Sequence, residues 1–128
     1  MSEPPHGIRI GPTTDGKGRG VFATRPIAEG EVVELAPVVV IAPSTSRYVS
    51  RTVLNDYVFG WGDDAIAVVL GYGSLYNHSW EPNLRYRTLL DDDLVEFTAV
   101  RDIAAGEELM TNYASASPAR AAFLQHLH

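Results

Sequence analysis

The sequence predicts a mainly β protein built from several small sheets with little helix, and three observations carry that reading. Short runs rich in Val and Ile recur along the chain, each broken by Gly, Pro or Asp, the residues that interrupt strands. One pattern, A-x-R-x-I-A-x-G-E, occurs twice, as Ala23-Thr-Arg-Pro-Ile-Ala-Glu-Gly-Glu31 and as Ala99-Val-Arg-Asp-Ile-Ala-Ala-Gly-Glu107. Asp91-Asp92-Asp93 separates two strand-like runs, as the turn of a hairpin does.

Taken in order, Ile8 to Ile10, Gly20 to Ala23, Glu31 to Leu35 and Val38 to Ala42 are strand candidates, because β-branched side chains pack well on a pleated surface. Pro26 and Gly30, and then Pro37, mark the breaks between them. Ser46 to Phe59 reads as helical, with Val49, Val53, Leu54, Tyr57 and Val58 near helical spacing. Ala65 to Leu70 is apolar on both faces and predicts a buried strand. Leu84 to Leu89 and Leu94 to Val100 flank the aspartate turn, and Leu109 to Thr111 is a last short strand. The tail 115–128 is predicted helical. Ser117 can cap it, Pro118 suits a first helical position, where no N–H is needed, and Phe123 and Leu127 lie four apart on one face. In each copy of the repeated pattern a strand enters a turn whose glycine sits where a positive φ is wanted. Two copies, one early and one late, predict two similar corners of a compact β fold; a solenoid stacks three or more tandem units.

A length of 128 residues predicts a single domain, 1–128, and 45% hydrophobic content is enough for one core. With 0 cysteines, a disulfide scaffold and a thiolate zinc site are excluded. The net charge of -6 argues against nonspecific grip on nucleic acid and suits basic partners or small molecules. The N-terminus does not resemble a secretory signal, and no apolar run approaches the roughly 20 residues of a membrane span. The expectation is a soluble, cytoplasmic protein with no membrane association.

Gly16-Lys-Gly-Arg-Gly20 lets the backbone approach a ligand closely, or makes a plain tight turn. It lacks the P-loop pattern and no helix follows it. There is no G-x-S-x-G elbow. His6, His78, His126 and His128 are scattered, with no carboxylate at a ligand spacing, so no metal is expected. The polar groups of Asn77-His78-Ser79 lie beside apolar runs and must be satisfied by backbone or by a polar ligand. Taken singly, His78 reads first as a brace of a loop.

Their combination is more specific. Gly18-Arg-Gly-Val-Phe-Ala, then R-x-I-x-x-G-E, then Asn77-His78-Ser79-x-x-Pro82-Asn83, then Gly106-Glu-Glu-Leu-x-x-Asn-Tyr113 resembles, in order, the SET domain family of protein lysine methyltransferases. The resemblance covers about residues 8–114 and is similar to the minimal viral and bacterial members. It implies a β-clip-like fold of several small sheets around a knot-like core, in which the N-H-S segment and the tyrosine segment are threaded together. It implies S-adenosyl-L-methionine as cofactor and methyl transfer to a lysine amine of a protein or peptide, probed through a narrow channel. Carried over by position, Gly18, Arg19 and Gly20 contact the cofactor mainly through backbone. Asn77 holds its methionine portion, His78 contacts its adenine by main chain, and Tyr113 is the catalytic tyrosine beside the cofactor. Tyr57, Tyr72, Tyr76 and, in the tail, Phe123 are channel candidates.

The family often carries Arg-Phe before N-H-S and a cysteine after it; here those positions are Ser74-Leu75 and Trp80. The zinc-binding cysteine clusters of many members are absent, and the tail from Ser117, with Phe123 packing, is expected to replace the cover they make. A basic substrate such as a histone suits Glu81, Asp91 to Asp93 or Glu96, and direct nucleic-acid binding is not expected. The single lysine, Lys17, fits either an arginine-biased composition or a lysine-modifying enzyme that gains by lacking lysines of its own. A homodimer, and a nuclear location in a eukaryotic source or on host chromatin, are open alternatives. So is a non-catalytic SET-fold protein that binds a peptide or the cofactor.

Overall fold

The computed structural model describes residues 7–16 and 18–113. They form β1 (Ile8–Pro12), β2 (Arg19–Ala23), β3 (Val32–Ile41), α1 (Pro43–Val49), a 3-10 turn (Val53–Asp56), β4 (Val58–Trp61), β5 (Ala65–Val69), β6 (Asn77–His78), β7 (Leu84–Leu89), β8 (Leu94–Ala99) and β9 (Glu108–Thr111). One sheet has the order β1-β2-β9-β6 and the other the order β4-β5-β3-β8-β7. Every pairing is antiparallel except β6 with β9, which run parallel. The tail 115–128, with Ser117 and Phe123, lies outside the described residues.

The two copies of the repeated pattern bind each other. Ile27 and Ile103 exchange both backbone hydrogen bonds, at 2.9 and 2.8 Å. Gly30 N–H donates to the Ala99 carbonyl, and Gly106 N–H to the Ala23 carbonyl, both at 2.8 Å. Ala99 N–H returns to the Glu31 carbonyl and Ala23 N–H to the Glu107 carbonyl. Both turns close from Ala28 to Glu31 and from Ala104 to Glu107, with Gly30 at φ 85° and Gly106 at φ 89° in the third position, as a type II turn requires. Inside each copy the arginine pairs with the glutamate, Arg25 with Glu31 and Arg101 with Glu107. The Arg101 guanidinium and the Ala104 N–H hold the Glu107 carboxyl below the usual range.

Two expectations are corrected. β3 is one strand through Pro37, not two strands broken there. Val32 to Pro37 pairs with β8, and Val38 to Ile41 pairs with β5. Proline thus falls at the handover between partners, where its carbonyl still accepts from Leu70 N–H at 2.8 Å. The helix expected over 46–59 is the second. α1 ends at Val49, Thr52 caps the separate 3-10 turn, and Val58 begins a strand paired to β5. The apolar spacing does not mark a buried stripe, since Val53 is 71% exposed and α1 buries no residue. Pairing with β5 and the β-branched residues of the segment win over helical spacing.

The core fills the space between the sheets. Phe59 meets Tyr86 and Phe97 edge-on, with ring centroids 5.1 and 6.4 Å apart, and Tyr76 packs on Phe97 at 4.8 Å. Val21, Leu84, Ile103 and Leu109 are fully buried around them.

Candidate active site

The site grows from the parallel pairing of β6 with β9, which sets Asn77 opposite Met110 and His78 opposite Thr111. Asn83 clamps the same strand: its Nδ2 donates to the Glu108 carbonyl at 2.8 Å, and its Oδ1 accepts from Met110 N–H at 2.9 Å. The turn Ser79 to Asn83 is thereby fastened to β9 at both ends, since Ser79 N–H donates to the Thr111 carbonyl.

Asn77 Nδ2 donates to the Arg19 carbonyl at 2.9 Å and to Glu108 Oε2 at 2.7 Å. Both partners accept, so the orientation of the amide is fixed, and Oδ1 remains as its acceptor end. Gly20 allows this approach: a Cβ there would stand 2.5 Å from Glu108 Oε2 and 3.1 Å from Asn77 Nδ2. Gly18, at φ 136°, holds a conformation that suits glycine.

Tyr113 is buried at 9% exposure and is held twice. Its N–H donates to His78 Nδ1 at 3.0 Å, and its hydroxyl donates to the Tyr76 carbonyl at 2.7 Å. A backbone N–H can only donate, so Nδ1 must accept, and a neutral imidazole then carries its proton on Nε2. His78 also packs its ring on Tyr113 at 5.3 Å and on Trp80 at 4.3 Å.

Behind this layer sits Glu34, 5% exposed in the core face of β3. Oε1 accepts from the Tyr76 hydroxyl at 2.7 Å, and Oε2 accepts from Tyr72 N–H at 2.8 Å. Burial pushes the Glu34 carboxyl up, against these two hydrogen bonds. Burial and the neighbouring carboxylate push the Tyr76 hydroxyl well above its ordinary value.

The structure thus brings Gly18, Arg19, Gly20, Asn77, His78 and Tyr113 to one place. Tyr76 contributes its carbonyl there, while its side chain turns inward to Glu34 and Phe97. Tyr72 is half-buried against the core. Tyr57 follows the 3-10 turn at the entry to edge strand β4. Sequence reasoning missed Glu34 and Glu108. A glutamate inside the apolar run Val-Val-Glu-Leu-Ala was the available signal for Glu34. The Glu107-Glu108 pair was the signal for Glu108: Glu107 serves the corner and Glu108 serves Asn77.

Comparison with known proteins identifies the family. The SET domain family model matches residues 18–114. A Schizosaccharomyces pombe relative, histone-lysine N-methyltransferase, H3 lysine-37 specific, is 33% identical over 101 residues, which are 78% of this chain and 69% of the relative. A solved Plasmodium falciparum structure, a candidate histone methyltransferase, superposes with TM-score 0.65 at 28% identity, covering 88% of this chain and 95% of the other. Chaetomium thermophilum Polycomb Repressive Complex 2 bound to GSK126 superposes with TM-score 0.72 at 25% identity, covering 97% of this chain and 18% of the other. The match over residues 18–114, together with the superposition on that solved fold, makes this chain a member of the SET domain family.

Proposed function

We propose that Asn77, His78 and Tyr113 form the methyl-transfer site of this chain. By family and by its similarity to a histone-lysine N-methyltransferase it is a protein-lysine methyltransferase that uses S-adenosylmethionine. The observation that carries the site assignment is the parallel pairing of β6 with β9, which sets the Tyr113 hydroxyl 2.7 Å from the Tyr76 carbonyl beside the bracket of Asn77 and Glu108.

The donor set fits the cofactor. Oδ1 of Asn77 is an acceptor suited to an ammonium group, and the Glu108 carboxylate beside it favours positive charge there. The close approach at Gly20 leaves no room for a side chain between β2 and this bracket. The main-chain N–H and C=O of His78 point away from β9, along the outer edge of the sheet, where they match the donor-acceptor edge of a purine.

When bound, S-adenosylmethionine supplies an electrophilic methyl group, and the transfer is an in-line displacement by an amine. What the protein contributes is position. The Tyr113 hydroxyl spends its proton on the Tyr76 carbonyl, so towards a ligand its oxygen acts as an acceptor that can take weak C–H···O contacts and orient an amine N–H. A lysine amine has an ordinary pKa near 10.4 and attacks only when neutral. Burial of the amine beside Tyr113 would disfavour its ammonium form by withholding water. His78 is not needed as a base, since Nδ1 is committed to Tyr113 N–H. A net charge of -6 supports a basic protein substrate, of the kind that the histone-modifying relative acts on.

The test is a labelled-methyl assay on histones, histone-like proteins and a lysate, with mass-spectrometric mapping of the modified site. Tyr113→Phe should abolish turnover while calorimetric binding of S-adenosylmethionine persists. Full activity in that variant would sink the assignment.

A further inference from the structure

We infer that Trp80 is the platform on which the cofactor's adenine stacks; this rests on the reading of Asn77, His78 and Tyr113 as the methyl-transfer site. Trp80 directly follows Asn77-His78-Ser79. Its side chain is 56% exposed. A single exposed apolar residue is ordinary on a protein surface, so exposure alone decides nothing.

What distinguishes Trp80 is how firmly and where it is held. Its ring stands at 86° to the His78 imidazole with centroids 4.3 Å apart. That imidazole is itself fixed by its bond to Tyr113 N–H and by its packing on the Tyr113 ring. The chain on either side of Trp80 is also tied. Ser79 N–H bonds to the Thr111 carbonyl at 2.9 Å, and Ser79 Oγ accepts from Glu81 N–H at 3.0 Å, which closes the turn around the tryptophan. An indole with two side-chain torsions, already oriented, loses little conformational freedom when a ligand covers it.

The chemistry that suits this surface is a flat heteroaromatic base. An edge-on contact with His78 leaves much of the indole surface in water, and a base stacked there would remove apolar area from water on both rings. The adjacent His78 main chain lies on the outer edge of β6 and offers a donor and an acceptor to the rim of such a base. Asn77 begins the same two-residue strand, so the amino-acid end and the base end of one ligand would be read by neighbouring residues.

Wild type, Trp80→Ala and Trp80→Phe are compared for S-adenosylhomocysteine binding by calorimetry and by tryptophan emission. Trp61 is buried in the core and reports whether each variant is folded. In wild type the ligand should quench the emission of Trp80, and Trp80→Phe should lose that quenching while keeping the signal of Trp61. The dissociation constant should rise roughly ten- to a hundredfold in Trp80→Ala, the range expected for loss of one base-aromatic stack. It should stay within about threefold in Trp80→Phe, which keeps a ring. Adenosine alone should lose affinity in the same ratio, and in turnover the loss should appear in KM for the cofactor and not in KM for the peptide. Binding by Trp80→Ala equal to wild type would overturn the proposal and leave the site reading standing. A raised peptide KM with cofactor binding unchanged would also overturn it, by placing Trp80 on the lysine side. Failure of wild type to bind the ligand would remove the site reading and this inference with it. If Trp80→Ala does not fold, Trp80→Leu replaces it, with the same outcomes.

Discussion

Removing the Tyr76 hydroxyl tests the buried carboxylate behind the site. Tyr76 is 1% exposed, and its hydroxyl donates to Glu34 at 2.7 Å. Tyr76→Phe leaves the ring packed on Phe97 but leaves Glu34 with the Tyr72 N–H bond as its remaining named partner. A hydrogen bond to a charged group contributes about 1.5–3 kcal/mol, and a neutral one about 0.5–1.5 kcal/mol. The loss therefore depends on whether Glu34 is ionised. Its folded pKa is raised above 4.5, so acidification favours the folded state, and Glu34's share of stability declines as pH climbs through that raised value. The Tyr76 hydroxyl opposes the rise, so removing it pushes the folded pKa higher and extends the decline upward in pH. The variant should lose about 1.5–3 kcal/mol near neutral to mildly alkaline pH, and about 1 kcal/mol less than that once Glu34 is protonated. Urea unfolding followed by tryptophan emission, repeated from about pH 4 to about pH 8, measures the difference. A loss that is the same at every pH, or that shrinks as pH rises, would refute the reasoning.

Gly20→Ala sets a methyl 2.5 Å from Glu108 Oε2, so the carboxylate must leave Asn77; we expect about tenfold weaker S-adenosylmethionine binding by calorimetry with little change in Tm, because the displaced group is the end of a flexible side chain. Gly73→Ala drives its Cβ into Val69 and to 3.1 Å from Phe97 in the core. Overpacking of this kind costs about 1–3 kcal/mol, which calorimetric melting should show as a Tm lower by several degrees.

The parts of the fold that follow from local chemistry were readable in the sequence. β7 runs from Leu84 to Leu89 as expected, and the aspartate turn closes the hairpin with Asp93 at φ 51°. β4 was not readable, because Val58 to Trp61 has no alternation of its own and becomes a strand through its pairing with β5. β6 was not readable as a strand either: two residues carry no periodicity, and Asn77 and His78 are extended because β9 lies beside them. At the site, motif residues such as Asn77 and Tyr113 could be named in advance, but their partners could not. That Asn77 spends its N–H groups on Arg19 and Glu108, 58 and 31 residues away, is a product of the pairing of β2, β9 and β6.

The repeated corner explains why the site forms in register. The first copy begins at Ala23, where β2 ends, and the second ends at Glu107, one residue before β9 begins. Their reciprocal bonds, Ala23 with Glu107 and Gly106 and Ile27 with Ile103, therefore fix how β2 meets β9, with Val21 opposite Leu109 and Phe22 opposite Glu108. Strand side chains alternate between faces, so a slip of one residue would turn the Glu108 carboxylate away from Asn77 and bring the buried Leu109 out of the core. In the observed register the missing side chain of Gly20 lets the Glu108 carboxylate lie close to β2. The arginine-glutamate pairs and positive-φ glycines of the two corners thus act at a distance on chemistry they do not touch: they set the strand register on which the Asn77 bracket and the descent of β9 to Tyr113 depend.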